Sequence, residues 1–172
     1  RNIILNSAPI YTADKLKELK NCGLYGFDFL FTTEASKEIL SIVNAYLEEG
    51  AVLTMDTIQL SGVDTTDRKT TAKLAAKAKI VVRERLLTDG DEYAKTDFDV
   101  ILEGEGAGAD VVSRSVAKGN SKQEYFSRIV GKCPCTGHTE CDAILADNGK
   151  VLATPSLVAE HQDAALIHEA AI

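Results

Sequence analysis

The feature that most constrains this chain is an alternation of period two between Lys73 and Leu87. Leu74, Ala76, Ala78, Ile80, Val82 and Leu86 fall on one parity, and Lys73, Lys77, Lys79, Arg83 and Arg85 fall on the other. Successive side chains of a strand point to opposite faces, so this pattern is that of a strand buried on one side with a basic outer face. Alanine and lysine also favour helices, but the sustained parity decides for strand. Phe98, Val100 and Leu102 set against Asp97, Asp99 and Ile101 continue the alternation less cleanly. Turn signals recur through the same region: Glu49-Gly50, Ser61-Gly62, Asp89-Gly90, Glu103-Gly104-Glu105-Gly106, Lys118-Gly119-Asn120 and Asp147-Asn148-Gly149. A weak internal echo links Glu49-Gly50-Ala51 to Glu105-Gly106-Ala107. Short strands between glycine turns fit either a sandwich or a solenoid of stacked rungs, and the pattern alone does not separate the two.

The first fifty residues differ in character. Thr12 as a cap, Asp14 in the first turn, Lys20 in the last and Gly23 beyond predict a helix over 12–20. A second helix is predicted over 33–49 from the spacing of Ile39, Ile42, Val43 and Tyr46, with a strand from Ile42 to Leu47 as the competing assignment. The expected organisation is therefore an N-terminal mixed or helical segment, 1–49, and a β core, 50–172. The chain opens at Arg1 and stops at Ile172 inside a regular segment, and reads as part of a longer polypeptide.

Charge narrows the partners. With 19 basic and 26 acidic residues the formal charge is −7, which argues against a nucleic-acid or anionic-membrane surface as the main partner. No apolar run approaches the ~20 residues of a membrane-spanning helix, so a cytoplasmic protein is expected. The run Gly104-Glu105-Gly106-Ala107-Gly108 lacks the Gly-Lys-Ser/Thr ending of a phosphate loop, and its acids would repel phosphate. A tight turn is the better reading.

Three of the four cysteines, Cys133, Cys135 and Cys141, fall with His138 inside nine positions. Thiolates with an imidazole suit zinc, copper(I) or iron–sulfur species. The spacing Cys-x-Cys-x-x-His-x-x-Cys is not that of a standard zinc ribbon, and small buried thiols at a strand end are the alternative for Cys133 and Cys135. Farther along stand His161, beside a turn, and the pair His168-Glu169. Cys141 precedes His168 by 27 positions, comparable to one solenoid circuit. Parallel strands stack ~4.8 Å apart, so a coiled chain would bring Cys141 near His168 and Glu169. Because His168 and Glu169 are adjacent, they do not both face Cys141 unless the strand bends. A Cys-His-Asp nucleophile set is the enzymatic rival, but no oxyanion hole is legible, and a non-enzymatic protein is expected.

The stretch Gly137-His138-Thr139-Glu140-Cys141-Asp142-Ala143-Ile144-Leu145, followed by Leu166-Ile167-His168-Glu169-Ala170-Ala171, resembles the C-terminal part of the SufB/SufD family, scaffold subunits of the SUF iron–sulfur cluster assembly system. Supporting pieces are Glu48 to Thr54, Leu102 to Ala107 and Tyr125 to Val130, so the resemblance covers roughly 44–172. It implies a right-handed parallel β-helix core, a homodimer or SufB/SufD-type heterodimer, and a SufC-like ABC ATPase partner docking on a helical C-terminal tail. That tail is expected to be absent from this chain. The resemblance further implies a transient iron–sulfur cluster held by Cys141, His168 and Glu169. Two alternatives stay open: a zinc-binding structural module using Cys133, Cys135, His138 and Cys141, and a SufD-like structural subunit whose site is vestigial.

Overall fold

The computed structural model describes residues 38–172, and every regular element among them is a strand. In chain order these are β1 (Glu38–Leu47), β2 (Val52–Gln59), β3 (Thr65–Leu74), β4 (Lys79–Thr88), β5 (Tyr93–Leu102), β6 (Gly108–Ala117), β7 (Lys122–Gly131), β8 (Cys135–Leu145), β9 (Lys150–Ala159) and β10 (Ala164–Ala171). Odd-numbered strands form one five-stranded sheet in the order β1-β3-β5-β7-β9, and even-numbered strands form the other, β10-β8-β6-β4-β2. All pairings are parallel. The chain therefore winds as a β-solenoid of about five turns, two strands to each coil. No helix among the described residues is long and apolar enough to cross a membrane.

Register sets the pitch of the winding. Glu38 pairs with Thr65, Thr65 with Tyr93, Tyr93 with Lys122 and Lys122 with Lys150, steps of 27, 28, 29 and 28 residues. Left-handed turn residues recur on the same rhythm: Gly50 (φ 69°), Lys77 (φ 58°) and Gly106 (φ 73°) along one ridge, and Gly90 (φ 60°), Gly119 (φ 67°) and Asp147 (φ 57°) along another. The turns hydrogen-bond to those of the next coil, as in Gly50 N to Ala76 O and Lys77 N to Glu105 O. The echo between Glu49-Gly50-Ala51 and Glu105-Gly106-Ala107 is this ridge seen two coils apart. Gly104 is required for a different reason: a Cβ there would stand 2.0 Å from the backbone nitrogen of Ala76.

The core lies between the sheets. Leu74, Val82, Val100, Leu102, Val111 and Ile129 are fully enclosed, and each such side chain contributes about 1.5–3 kcal/mol by leaving water. The stretch 73–87 is not one strand. It is the end of β3, a turn at Ala76-Lys77, and β4. Parity survives the turn, so Leu74, Ala78, Ile80, Val82 and Leu86 are buried together as expected. Pro155 is accommodated because β9 is the last strand of its sheet, where a missing N–H leaves no neighbour unbonded.

A second expectation is corrected. Within the helix predicted over 33–49, Glu38–Leu47 is a strand, which agrees with the competing strand assignment for Ile42–Leu47. Ile39, Val43 and Ala45 face inward and Leu40, Ile42 and Tyr46 outward, and residues 33–37 lie outside the described ones. Parallel pairing of all ten β1 residues with β3 outweighs an ambiguous local period. The strand therefore starts the solenoid before Gly50. The helix predicted over 12–20, and Cys22, lie outside the described residues.

Two substitutions test this architecture by urea unfolding. Leu102→Ala is expected to cost about 2–5 kcal/mol through the cavity it leaves. Gly50→Ala, where nothing lies within 4 Å of the added Cβ, is expected to cost about 1–2 kcal/mol from left-handed backbone strain alone.

Candidate functional site

Alternation along β8 sorts its side chains. Cys135, Gly137, Thr139 and Cys141 face the interior, while Thr136, His138, Glu140 and Asp142 face outward. β10 lies alongside in parallel, with His168 opposite Thr139, Glu169 opposite Glu140 and Ala170 opposite Cys141. Cys141 and His168 thus share the interior face on neighbouring strands. They are displaced by two positions, a Cα separation of roughly 8 Å from strand rise and spacing. Glu169 leaves the opposite face. The expected 27-residue alignment of Cys141 with His168 is corrected, because the β8-to-β10 circuit is 29 residues long, from Cys135 to Ala164.

His168 Nδ1 lies 3.1 Å from the Thr139 carbonyl oxygen. A carbonyl only accepts, so Nδ1–H donates, the arrangement that in a neutral imidazole leaves the lone pair on Nε2. Beside it, Cys141 is 2% exposed. Register places Ser113 next to it and Glu84 one coil beyond. Ser113 Oγ donates to Glu84 Oε2 at 2.6 Å, and Thr96 Oγ1 donates to Glu84 Oε1 at 3.1 Å. The Arg68 guanidinium, from the facing sheet, completes the set at 2.7 Å from Glu84 Oε1. Burial, then the nearby charges of Glu84 and Asp142, push the Cys141 thiol from an ordinary 9.0 up to about 11. The solenoid interior is therefore polar along its middle, continuing through Tyr125 and Ser127 to Thr139 at 3.1 and 2.8 Å.

Other predicted ligands divide between the faces. The set Cys133, Cys135, His138 and Cys141 does not converge on one ion, since His138 points away from the buried thiols of Cys135 and Cys141. This removes the zinc-module geometry. Cys133 and Cys135 are free thiols at the β7–β8 turn. Cys133 Sγ lies 3.6 Å from the Leu102 carbonyl oxygen, and burial, then the neighbouring Cys135, raise its pKa. His161 stays within its own turn, its Nδ1 accepting from the Asp163 backbone N–H at 3.1 Å.

The outer face of the same strands carries a second constellation. His138 Nδ1 lies 2.8 Å from Asp110 Oδ1, while Arg83 holds Oδ2 of the same carboxylate. Burial opposes the charge of Asp110, but the bonds from His138 and Arg83 prevail and lower its pKa. Arg114 reaches Glu140 Oε1 at 2.9 Å and Asp142 at 3.5 Å. Arg114 and then Asp142 hold Glu140 below the usual carboxylate range, and hydrogen bonding to Glu140 pushes Asp142 up. One ligand atom each from His138, Glu140 and Glu169 lies within 4.8 Å of the others. Glu84, Asp110 and Glu140 were not singled out from sequence. The available signals were a glutamate on the buried parity of 73–87 and an aspartate 28 positions before His138.

Two parallel sheets wound into one solenoid, with a thiol and an imidazole on a common inner face, define the described residues as a parallel β-solenoid protein. Comparison with known proteins places that solenoid. No family model matches the chain. Over 97 residues, 55% of this chain and 24% of the relative, it is 37% identical to an iron-sulfur cluster assembly SufBD family protein of Methanothermobacter thermautotrophicus. Over 155 residues, 89% of this chain and 42% of the relative, it is 27% identical to a SufBD family protein of Archaeoglobus fulgidus. A third, from Methanocaldococcus jannaschii, is 29% identical over 132 residues and likewise matched over 42% of its length. These matches support a SufBD-like family assignment for this chain, which spans less than half the length of these curated relatives.

Two measurements check the interior. Glu84→Gln is expected to destabilise the fold by about 3–5 kcal/mol, because it strands the buried Arg68 charge. Burial makes the folded chain bind the Cys141 proton more tightly than the unfolded chain does. That stabilisation is complete below the ordinary thiol pKa of 9.0 and is lost as pH rises through about 11. Iodoacetamide labelling of Cys141, followed by mass spectrometry, is expected to be slow at pH 8 and to accelerate towards pH 11.

Proposed function

We propose that this chain is the β-solenoid core of a non-enzymatic scaffold on which iron and sulfide are assembled into a nascent cluster before transfer. The observation that carries this reading is the placing of Cys141 and His168 on one interior face in a chain similar to SufBD family proteins of iron–sulfur cluster assembly. In this role the cluster is cargo. Cys141, once deprotonated, supplies the thiolate that binds iron, or that attacks the outer sulfur of a donor persulfide and releases the donor's thiolate. His168 supplies a neutral nitrogen through Nε2, the atom its Nδ1 bond leaves free. Glu169 supplies a carboxylate. Glu169 leaves the opposite face of β10, the outermost described strand of its sheet, and would have to reach the same cargo around that strand.

The raised thiol pKa means that loading is coupled to proton release, since iron must displace the Cys141 proton. Loading therefore strengthens as pH rises. A SufC-like ABC ATPase as energy source and a second SufB- or SufD-type subunit belong to the same proposal, on the family resemblance. Such a partner would pack along β9 and β10, the outermost described strands of the two sheets.

Anaerobic reconstitution with ferrous iron and sulfide, together with the partner subunits, tests the roles. Cluster absorbance is expected to be lost in Cys141→Ala and reduced in His168→Ala. Undiminished absorbance in both would favour a subunit without its own cluster site.

A further inference from the structure

We propose that His138, Glu140 and Glu169 form a mononuclear site for a divalent first-row metal ion on the outer face of the sheet, separate from the interior thiol. The three donors come from two adjacent strands in strict register. His138 and Glu140 are two apart on β8, hence on one face, and Glu169 is the direct cross-strand neighbour of Glu140. Their ligand atoms lie within 4.8 Å of one another. Ligands to a single ion at ~2.1 Å stand at most ~4.2 Å apart, so the three side chains would close in slightly on binding.

Asp110 supplies an independent indication. Its carboxylate holds His138 Nδ1 at 2.8 Å and is itself held by Arg83. An imidazole whose Nδ1–H is fixed by a carboxylate has one tautomer, and its Nε2 is directed away as a lone-pair donor. Carboxylate–histidine pairs play this part around bound metals. Glu140 is held by Arg114 through Oε1 and shares a hydrogen bond with Asp142, so an ion binding there displaces Asp142 from Glu140. The Arg114 guanidinium also offsets the carboxylate charge gathered there.

The donor set selects the ligand class. One imidazole and two carboxylates suit ions of intermediate softness such as Fe²⁺, Mn²⁺, Co²⁺ or Zn²⁺, rather than copper(I), which favours thiolates. His138 and Glu140 are mostly covered while Glu169 is exposed, so remaining coordination positions open to water. A surface cleft bordered by Asp110, Thr136, His138 and Ile167 adjoins the site on the Asp110 side and leaves room for a further ligand.

The site shares Glu169 with the scaffold reading but requires neither Cys141, His168 nor a cluster, so the two fail separately. The test is titration of the full chain with Co²⁺, followed by its visible absorption, then competition by Zn²⁺. One ion per chain is expected, with ligand-field bands and no thiolate-to-cobalt charge-transfer band. His138→Ala and Glu169→Gln are each expected to weaken binding at least about tenfold, and Asp110→Asn by a similar factor through loss of ring orientation. Glu169→Gln changes an exposed side chain, and unchanged thermal melting of the metal-free variant separates loss of a ligand from loss of fold. Absence of binding, a thiolate charge-transfer band, or unchanged affinity in either ligand variant would overturn the proposal.

Discussion

Everything in this molecule depends on parallel pairing of each strand with the strand one coil away. The pairing fixes two things together: which residue of the next coil is the neighbour, and which face a side chain leaves. A circuit of 27–29 residues turns distant sequence positions into cross-strand partners. Slippage by one residue would exchange the inner and outer sets wholesale. The in-register stacking of hydrogen-bonded turns and the burial of one parity hold that register against slippage.

The interior is not uniformly apolar, and its polar groups sit where chemistry is expected. Arg68 and Glu84 meet across the core, bridged by Thr96, while Ser113 donates to the other Glu84 oxygen. Such a buried pair adds little net stability compared with well-packed apolar residues, but loss of either partner is costly. Its consequence for Cys141 is electrostatic: a carboxylate along the same ladder disfavours a second negative charge nearby. Burial and this charge together hold the thiol protonated until pH rises towards about 11.

The outer face follows a different logic. Ion pairs run from coil to coil, as in Arg83–Asp110, Arg114–Glu140 and Arg128–Asp99. Exposed pairs of this kind contribute about 0–1 kcal/mol each, so their main effect is to orient side chains. Around His138 that orientation fixes the imidazole against Asp110, within 4.8 Å of ligand atoms of Glu140 and Glu169. Two chemically distinct surfaces, thiol–imidazole inside and imidazole–carboxylate outside, thus share the strands β8 and β10.

Much of this was legible in the chain. Alternation through Lys73–Leu87 marked the buried parity correctly, glycine turns marked the corners, and adjacency of His168 and Glu169 already required opposite faces. Other features were not legible, for definite reasons. Ile39, Ile42, Val43 and Tyr46 satisfy a helical spacing as well as a strand, and only the partner strand β3 resolves them. Glu84 lies on the buried parity, yet nothing local announces that Arg68 waits across the core. Coil length depends on turns whose residue count varies, so a 27-residue estimate aligned His168 with Cys141 where the structure pairs it with Thr139. Sequence by itself determined the side of the sheet each residue takes, because parity is a property of the strand alone. Which residues become neighbours was decided by the tertiary winding, because register is a property of two strands and the length of chain between them.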